Sequence, residues 1–302
     1  MYELYANTSH NKPNVLALRR NGKIKAILLS VIITNGNSIL KYLSARSIII
    51  GGPLVVGNSN YYTELLLKEY KKRLPWYVIY SEIRPIYDLE FLKESFIESR
   101  FKREGHYNIY LNLNQRGSVM WNQLHKERKR NIQQAEKKGL VFKEICDKTE
   151  INNIVDLIVR TYKRKGVPLS YNDIFVKAIE LMPQEVKFFG AYKDDKIVAG
   201  QVRLCYKDLV YAWFAGSDEN YFKMRPNDFL LWNVIKWSRR NKYKVFDFGG
   251  GGKPGVSYGV RDYKLKYGGQ MEDFGRYVYI KRPLLYWFAS NAYKLFHKIK
   301  GK

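Results

Sequence analysis

The sequence predicts an α/β protein built from two similar units. Three observations carry this. The chain has 302 residues, the length of one large or two ordinary domains. Its hydrophobic fraction of 46% is enough for a real core. And one order of elements, a β-hairpin, a third strand, a helix and a strand, occurs twice.

In the first half, residues 15–21 (VLALRRN) read as a strand, Gly22 as the turn and residues 23–33 (KIKAILLSVII) as the return strand. A third strand falls in residues 44–56. Residues 61–73 (YYTELLLKEYKKR) read as a helix with Tyr62, Leu65, Leu66 and Tyr70 on one face. Residues 76–83 (WYVIYSEI) form a strand that Pro85 stops. In the second half the strands are 186–192 and 197–206, joined by a turn at 193–196, and then 209–216. Residues 227–242 (NDFLLWNVIKWSRRNK) form the helix, with Asn227 or Asp228 near its N-cap, and 244–250 the last strand. Between the units, residues 118–139 read as one helix closed by Gly139. Trp121, Leu124, Ile132 and Ala135 are its buried stripe, and Lys126, Arg128, Lys129, Arg130, Lys137 and Lys138 mostly face out.

Lys and Arg total 53 against 28 Asp and Glu, a net charge of +25, with the excess mostly in the second half. Such a surface attracts polyanions: nucleic acid, anionic lipid or phosphorylated substrates. The two cysteines, Cys146 and Cys205, indicate neither a disulfide framework nor a zinc site, and the four histidines form no metal-ligand pattern. No signal-peptide order appears at residues 1–14 and no apolar run is long enough to span a membrane, so a cytoplasmic setting is expected. After Asp273 no acidic residue occurs. Residues 283–302 read as a basic amphipathic tail, with Leu284, Leu285, Phe288, Ala292, Leu295 and Phe296 on one face and Trp287 and Tyr293 at its edges. Residues 281–302 are therefore expected to lie on an anionic membrane.

Two segments carry a family resemblance. RKRNIQQAEKKGL (128–140) resembles the entry motif of the FemABX peptidyltransferases, a basic residue, Ile, then Ala-Glu-Lys-x-Gly. NDFLLWNVIKWSRRNKYKVFDFGG followed by YKLKYGG (263–269) resembles their C-terminal signature, a helix, a strand ending Asp-Phe-Gly, and a Lys ahead of Gly-Gly. The likeness is close over roughly residues 118–282 and weaker over 1–117. It implies two tandem GNAT-like domains, each a mixed, mostly antiparallel sheet flanked by helices, over residues 1–117 and 118–282. It also implies an acyl- or aminoacyltransferase acting on an amine of a phosphorylated, lipid- or nucleotide-linked cell-envelope precursor. Partners would be aminoacyl-tRNA or another acyl donor, the precursor, and the inner face of the cell membrane; no cofactor or metal is implied. Alternatives are an N-acyltransferase of surface polysaccharide sugars using an acyl-CoA, and a non-catalytic basic RNA-binding protein.

The resemblance makes Lys264 the signature lysine, placed to stabilise charge on a phosphorylated substrate or the reacting carbonyl. Arg261 would assist by a bidentate phosphate contact, Tyr258 would line the substrate site, and Asp247 would orient the loop or act structurally. The four glycines at 249–252, with no amphipathic helix after them, match neither a P-loop nor a dinucleotide fingerprint, and residues 249–260 read as a mobile loop beside the acceptor cleft. Where acetyl-CoA enzymes carry a glycine-rich pyrophosphate loop, the segment YFKMRPNDFLL offers Arg225 and no glycine, which disfavours acetyl-CoA in its usual mode. Many FemABX ligases end the first-unit strand in Ile-Asp-Pro; here it is Ile83-Arg84-Pro85. That leaves Glu82 either to replace the missing base or to pair with Arg84, and Arg84 to bind an anionic acceptor group.

Overall fold

A computed structural model describes residues 1–35, 39–167, 169 and 173–299, side chains excepted at 39, 40 and 292–299. The chain runs α1 (Tyr2–Ala6), β1 (Asn11–Arg20), β2 (Lys23–Ile33), β3 (Arg46–Ile50), β4 (Leu54–Val55), α2 (Asn60–Arg73), β5 (Tyr80–Arg84), α3 (Lys93–Glu98) and β6 (Lys102–Glu104). It continues with β7 (Tyr107–Asn112), α4 (Gly117–Gln123), α5 (Lys126–Lys137), β8 (Leu140–Ile145), α6 (Lys148–Lys165), α7 (Asp173–Leu181), β9 (Val186–Lys193), β10 (Lys196–Tyr206) and β11 (Leu209–Ser217). The last elements are α8 (Pro226–Arg240), β12 (Val245–Gly252), α9 (Gly259–Leu265), β13 (Gln270–Asp273), β14 (Arg276–Ile280) and α10 (Pro283–Ile299).

Two compact units result: Met1–His106 with Asp273–Lys302, and Tyr107–Glu272. These limits differ from those expected at residues 117 and 282, and strand pairing explains why. β7 is antiparallel to β12 and so joins the second unit, while β14 is antiparallel to β5 and β6 and so returns to the first.

In the first unit the sheet order is β1-β2-β3-β5-β14-β6, with β4 paired to β2. β3 and β5 are parallel, as their connection through α2 requires, and the remaining pairs are antiparallel. α2 starts where Ser59 Oγ accepts the Tyr62 N–H. It buries Thr63, Leu66, Leu67 and Tyr70 against Leu28, Ile49 and Ile83; Leu65, expected on that face, is exposed. In the second unit the order is β13-β7-β12-β11-β10-β9-β8. β11 and β12 are parallel across α8, so the expected repeat is present: β1-β2-β3-α2-β5 in one unit and β9-β10-β11-α8-β12 in the other. A core of Ile109, Phe189, Val198, Leu230, Val234 and Phe246 fills the space under α8.

α6 is capped by Asp147, whose side chain accepts the Glu150 N–H, and ends at Gly166 in the left-handed region. It packs very closely on the sheet. A Cβ on Gly216 of β11 would meet the backbone of Leu157 and Ile158 at 2.5 Å, so only glycine fits there. The single helix expected over 118–139 is two helices, α4 and α5. The chain is extended at Leu124 and His125, and His125 Nδ1 caps α5 by accepting the Glu127 N–H.

Candidate active site

The ladder between β11 and β12 is short. Only Leu209–Tyr211 pairs with Val245–Asp247, although β11 runs to Ser217 and β12 to Gly252. Beyond those residues β11 stays with β10 and β12 pairs with β7. The parting strands open a cleft of about 650 Å³, within the range of small-ligand sites. Trp213, Phe214, Leu231, Phe248 and Val260 supply apolar wall; Tyr258, Gln201, Arg203 and Lys264 line it too, and among the described residues no carboxylate does.

The four glycines are strand, not the loop expected from the sequence. They form the end of β12, with register shifts between Asp247 and Gly249 and between Gly250 and Gly252. Gly249 and Gly252 have φ of 74° and 80°, the backbone that bulges of this kind need. The short helix α9 follows after all, and it presents Lys264 to the cleft. Lys264 Nζ donates to the Gly250 carbonyl at 2.7 Å. Burial lowers its pKa to about 8; Asp247 opposes that shift and Arg203 adds to it. Asp247, 1% exposed, accepts the Gly249 N–H at 2.6 Å. Burial raises its carboxyl to about 6, against the pull of the Gly249 N–H and of Lys264. Gly269 sets the seat of α9: a Cβ there would meet Ile109 Cγ2 at 2.6 Å and the Lys264 carbonyl at 3.3 Å.

The other expected residues divide. Tyr258 lines the cleft at the start of α9. Arg261 does not; its guanidinium donates to the Lys253 and Val256 carbonyls and so holds the turn between β12 and α9. Arg225 does not line it either. It is the residue before α8, at φ 60°, and Pro226 is the first helical residue, so the N-cap expected at Asn227 or Asp228 lies earlier. Pro226 has no N–H, and the Asp228 carboxylate stands in the first turn, both unfavourable to a pyrophosphate there.

Asp228 instead anchors a buried network. Its Oδ1 accepts from Arg128 Nη1 at 2.6 Å and from Tyr267 Oη at 2.7 Å, and Oδ2 from Asn131 Nδ2 at 2.7 Å. Arg128 also pairs with Glu127, which accepts from Lys266 at 2.6 Å. Arg128, expected on the solvent face, is therefore buried, because Asp228 meets it there. Burial opposes its charge most, but Asp228, Tyr267 and Glu127 together outweigh it and hold the guanidinium above its usual pKa. Burial also pushes the Tyr263 and Tyr267 hydroxyls well up, keeping both protonated as donors.

Arg203 was not among the residues the sequence pointed to. It is 3% exposed, on β10, and hydrogen-bonds the Gln201 side chain and the Val202 carbonyl. The available signal was a Gln and an Arg two apart in the apolar run IVAGQVRLCY, which places both on one strand face.

Glu82 and Arg84 lie on β5 in the first unit, whereas Lys264 lies in the second. Glu82 is buried, 3.2 Å from Arg84 Nη2 and 2.6 Å from Arg276 Nη1. Burial works against its charge, but the two arginines prevail and hold its carboxyl below the usual range. A carboxylate so held is a poor base, which favours the pairing role over the catalytic one.

Residues 122–265 match the family model of the acetyltransferase (GNAT) domain. No curated protein matches the chain in sequence. Among solved structures, a crystal structure of FemX is 13% identical, with a TM-score of 0.71 over 95% of this chain and 92% of that one. The C-terminal domain of a putative lysylphosphatidylglycerol synthetase from Agrobacterium fabrum is 13% identical, with a TM-score of 0.58 over 89% and 84%. L-PGS from Bacillus licheniformis is 13% identical, with a TM-score of 0.56 over 85% and 81%. The chain thus has the tandem GNAT-like fold seen in FemX, and the stretch similar to the acetyltransferase (GNAT) domain lies within its second unit.

Proposed function

We propose that the protein transfers an aminoacyl or acyl group to an amine on a phosphorylated, lipid- or nucleotide-linked cell-envelope precursor. The observation that carries this is Lys264: a lysine seated on the glycine strand, in the wall of an open cleft whose described lining holds no carboxylate. The neutral amine attacks the activated carbonyl, negative charge develops on its oxygen, and the Lys264 ammonium stabilises it; the tetrahedral adduct then collapses by breaking the bond to the carrier, and the departing carrier oxygen takes up the proton that the amine releases. Asp247 is a positioning residue: it fixes the bulge of β12 and keeps Lys264 charged. Tyr258 borders the substrate. Arg225 and Arg261 contribute positive field rather than direct contacts. The donor is aminoacyl-tRNA or a comparable carrier, because Pro226 and Asp228 spoil the α8 N-terminus for a CoA pyrophosphate.

The protein works at the inner face of the membrane. No helix among the described residues is long and apolar enough to cross it. On α10, Leu284, Trp287 and Phe288 are 77%, 60% and 62% exposed, and Arg282 stacks over the exposed Trp76 ring at 5.6 Å. Lys281 is instead tied to the Leu74 and Pro75 carbonyls. Lys300 and Lys302 of the expected tail lie outside the described residues, as do the side chains of Ala292, Tyr293, Leu295 and Phe296.

An acyl-CoA donor and a polysaccharide acceptor form the second reading, favoured by the match to an acetyltransferase domain. Thermal stabilisation at fixed physiological salt separates the two. Aminoacyl-tRNA and a UDP-linked muramyl peptide should raise the melting temperature and acetyl-CoA should not; stabilisation by acetyl-CoA alone would reverse the choice.

A further inference from the structure

Among the described residues no acid pairs with the buried cation of Arg203. Among the described residues its hydrogen bonds go to Gln201 and to the Val202 carbonyl, and its Nε, also buried, has no partner. Its guanidinium lies 5.4 Å from the Phe246 ring centroid. A buried charge with no counter-charge is costly. Elsewhere in this unit the buried guanidinium of Arg128 has a carboxylate on it. Arg203 differs in one further respect: it lines the cleft, near enough to Lys264 for its charge to be felt there.

We propose that Arg203 is an oxyanion-binding residue at the floor of the cleft, taking a carboxylate or phosphate carried on an apolar body. Nε and an Nη hydrogen on the same edge present the two parallel donors that a carboxylate or phosphate accepts. Trp213, Phe214 and Leu231 supply the apolar surface for the rest of the ligand. Gln201 accepts from Nη2 and the Val202 carbonyl from Nη1, which fixes the plane of the guanidinium and leaves Nε–H and the second Nη2 hydrogen for a ligand. Burial lowers the Arg203 pKa to about 10, which leaves it charged at neutral pH. This assignment deepens the transferase reading, since it names the chemistry of one substrate group, and rests on it for the word substrate.

The test uses binding, not turnover, so it stands apart from any failure of Lys264 in catalysis. The full chain is titrated at fixed ionic strength with N-acetylphenylalanine, its uncharged amide and inorganic phosphate, and the melting temperature is followed. The same series is run on Arg203→Met, which keeps length and removes the charge. The wild type should be stabilised by the carboxylate, by phosphate or by both, and not by the amide. The carboxylate alone would name a carboxylate ligand, phosphate alone a phosphorylated one. In Arg203→Met the dissociation constant for the effective anion should rise roughly tenfold or more. The unliganded variant should melt no lower than wild type, because an unpaired buried charge has been removed. A merely structural Arg203 would lower that temperature instead. No anion effect in the wild type, or an equal effect in Arg203→Met from the basic surface alone, would overturn the proposal.

Discussion

Arg128 Nη1 lies 2.6 Å from Asp228 Oδ1 in a buried ion pair between residues one hundred positions apart. Asp228 also accepts from Tyr267, which follows α9, so α5, α8 and the helix bearing Lys264 are fixed through one carboxylate. The motif residue at the head of RKRNIQQAEKKGL thus holds the site together rather than meeting solvent phosphates.

Removing one partner of that pair should be costly. Arg128→Ala is expected to lose about 3–5 kcal/mol of stability, by leaving Asp228 buried without its main counter-charge. Denaturant unfolding measures it. A loss under about 1 kcal/mol would mean that the pair contributes as a surface bridge does.

The pair Lys264 and Asp247 sets a pH dependence. Lys264 is charged below about 8, so the rate should fall as pH rises through that value. Asp247 supports that charge, so in Asp247→Asn the alkaline limb should move to lower pH; in Lys264→Arg it should move beyond the accessible range. A limb unmoved by both substitutions would belong to another group.

Asp247 also makes a prediction for stability. Its folded pKa, about 6, lies above the ordinary carboxyl value of 3.8. Between those values the native state keeps a proton that the unfolded chain has lost, so this group's contribution to stability falls as pH rises through the window. Asp247→Asn, which keeps the acceptor for Gly249, should gain on the wild type from pH 4 to pH 6. Parallel stability curves would show that Asp247 does not titrate there.

Gly216→Ala should destabilise by about 1–3 kcal/mol, since the α6 backbone cannot yield to a new methyl group as a side chain can. Thermal unfolding of the variant checks this; an unchanged midpoint would mean that α6 shifts at no cost.

Replacing Trp287 and Phe288 together by Ser should weaken binding to vesicles containing phosphatidylglycerol and leave the unfolding midpoint near that of wild type, because both rings are exposed. Unchanged vesicle binding would remove α10 from the account of the membrane.

Much of the fold was legible because the strands and helices of the repeat carry their own composition and turn chemistry: Gly22 after VLALRRN, or the apolar run VKFFGAY ahead of the turn KDDK. What escaped depends on contacts distant in sequence. The run GGGG reads locally as loop, and it is strand only because β7, more than one hundred residues earlier, pairs with it. Arg128 reads as one of several basic residues until Asp228 is placed against it. Lys264 was found through its resemblance to a motif, and the structure adds its seat on Gly250. Glu82 shows the converse: Arg84 beside it was visible, but Arg276, nearly two hundred residues on, was not.

The role of Lys264 in transfer is decided by moving labelled amino acid from a bulk aminoacyl-tRNA pool to a UDP-linked muramyl peptide, comparing wild type with Lys264→Ala shown to be folded by its melting temperature. Transfer by the wild type and a loss of roughly 10²–10³ in rate for the variant are expected. Equal rates in the two proteins would contradict that role.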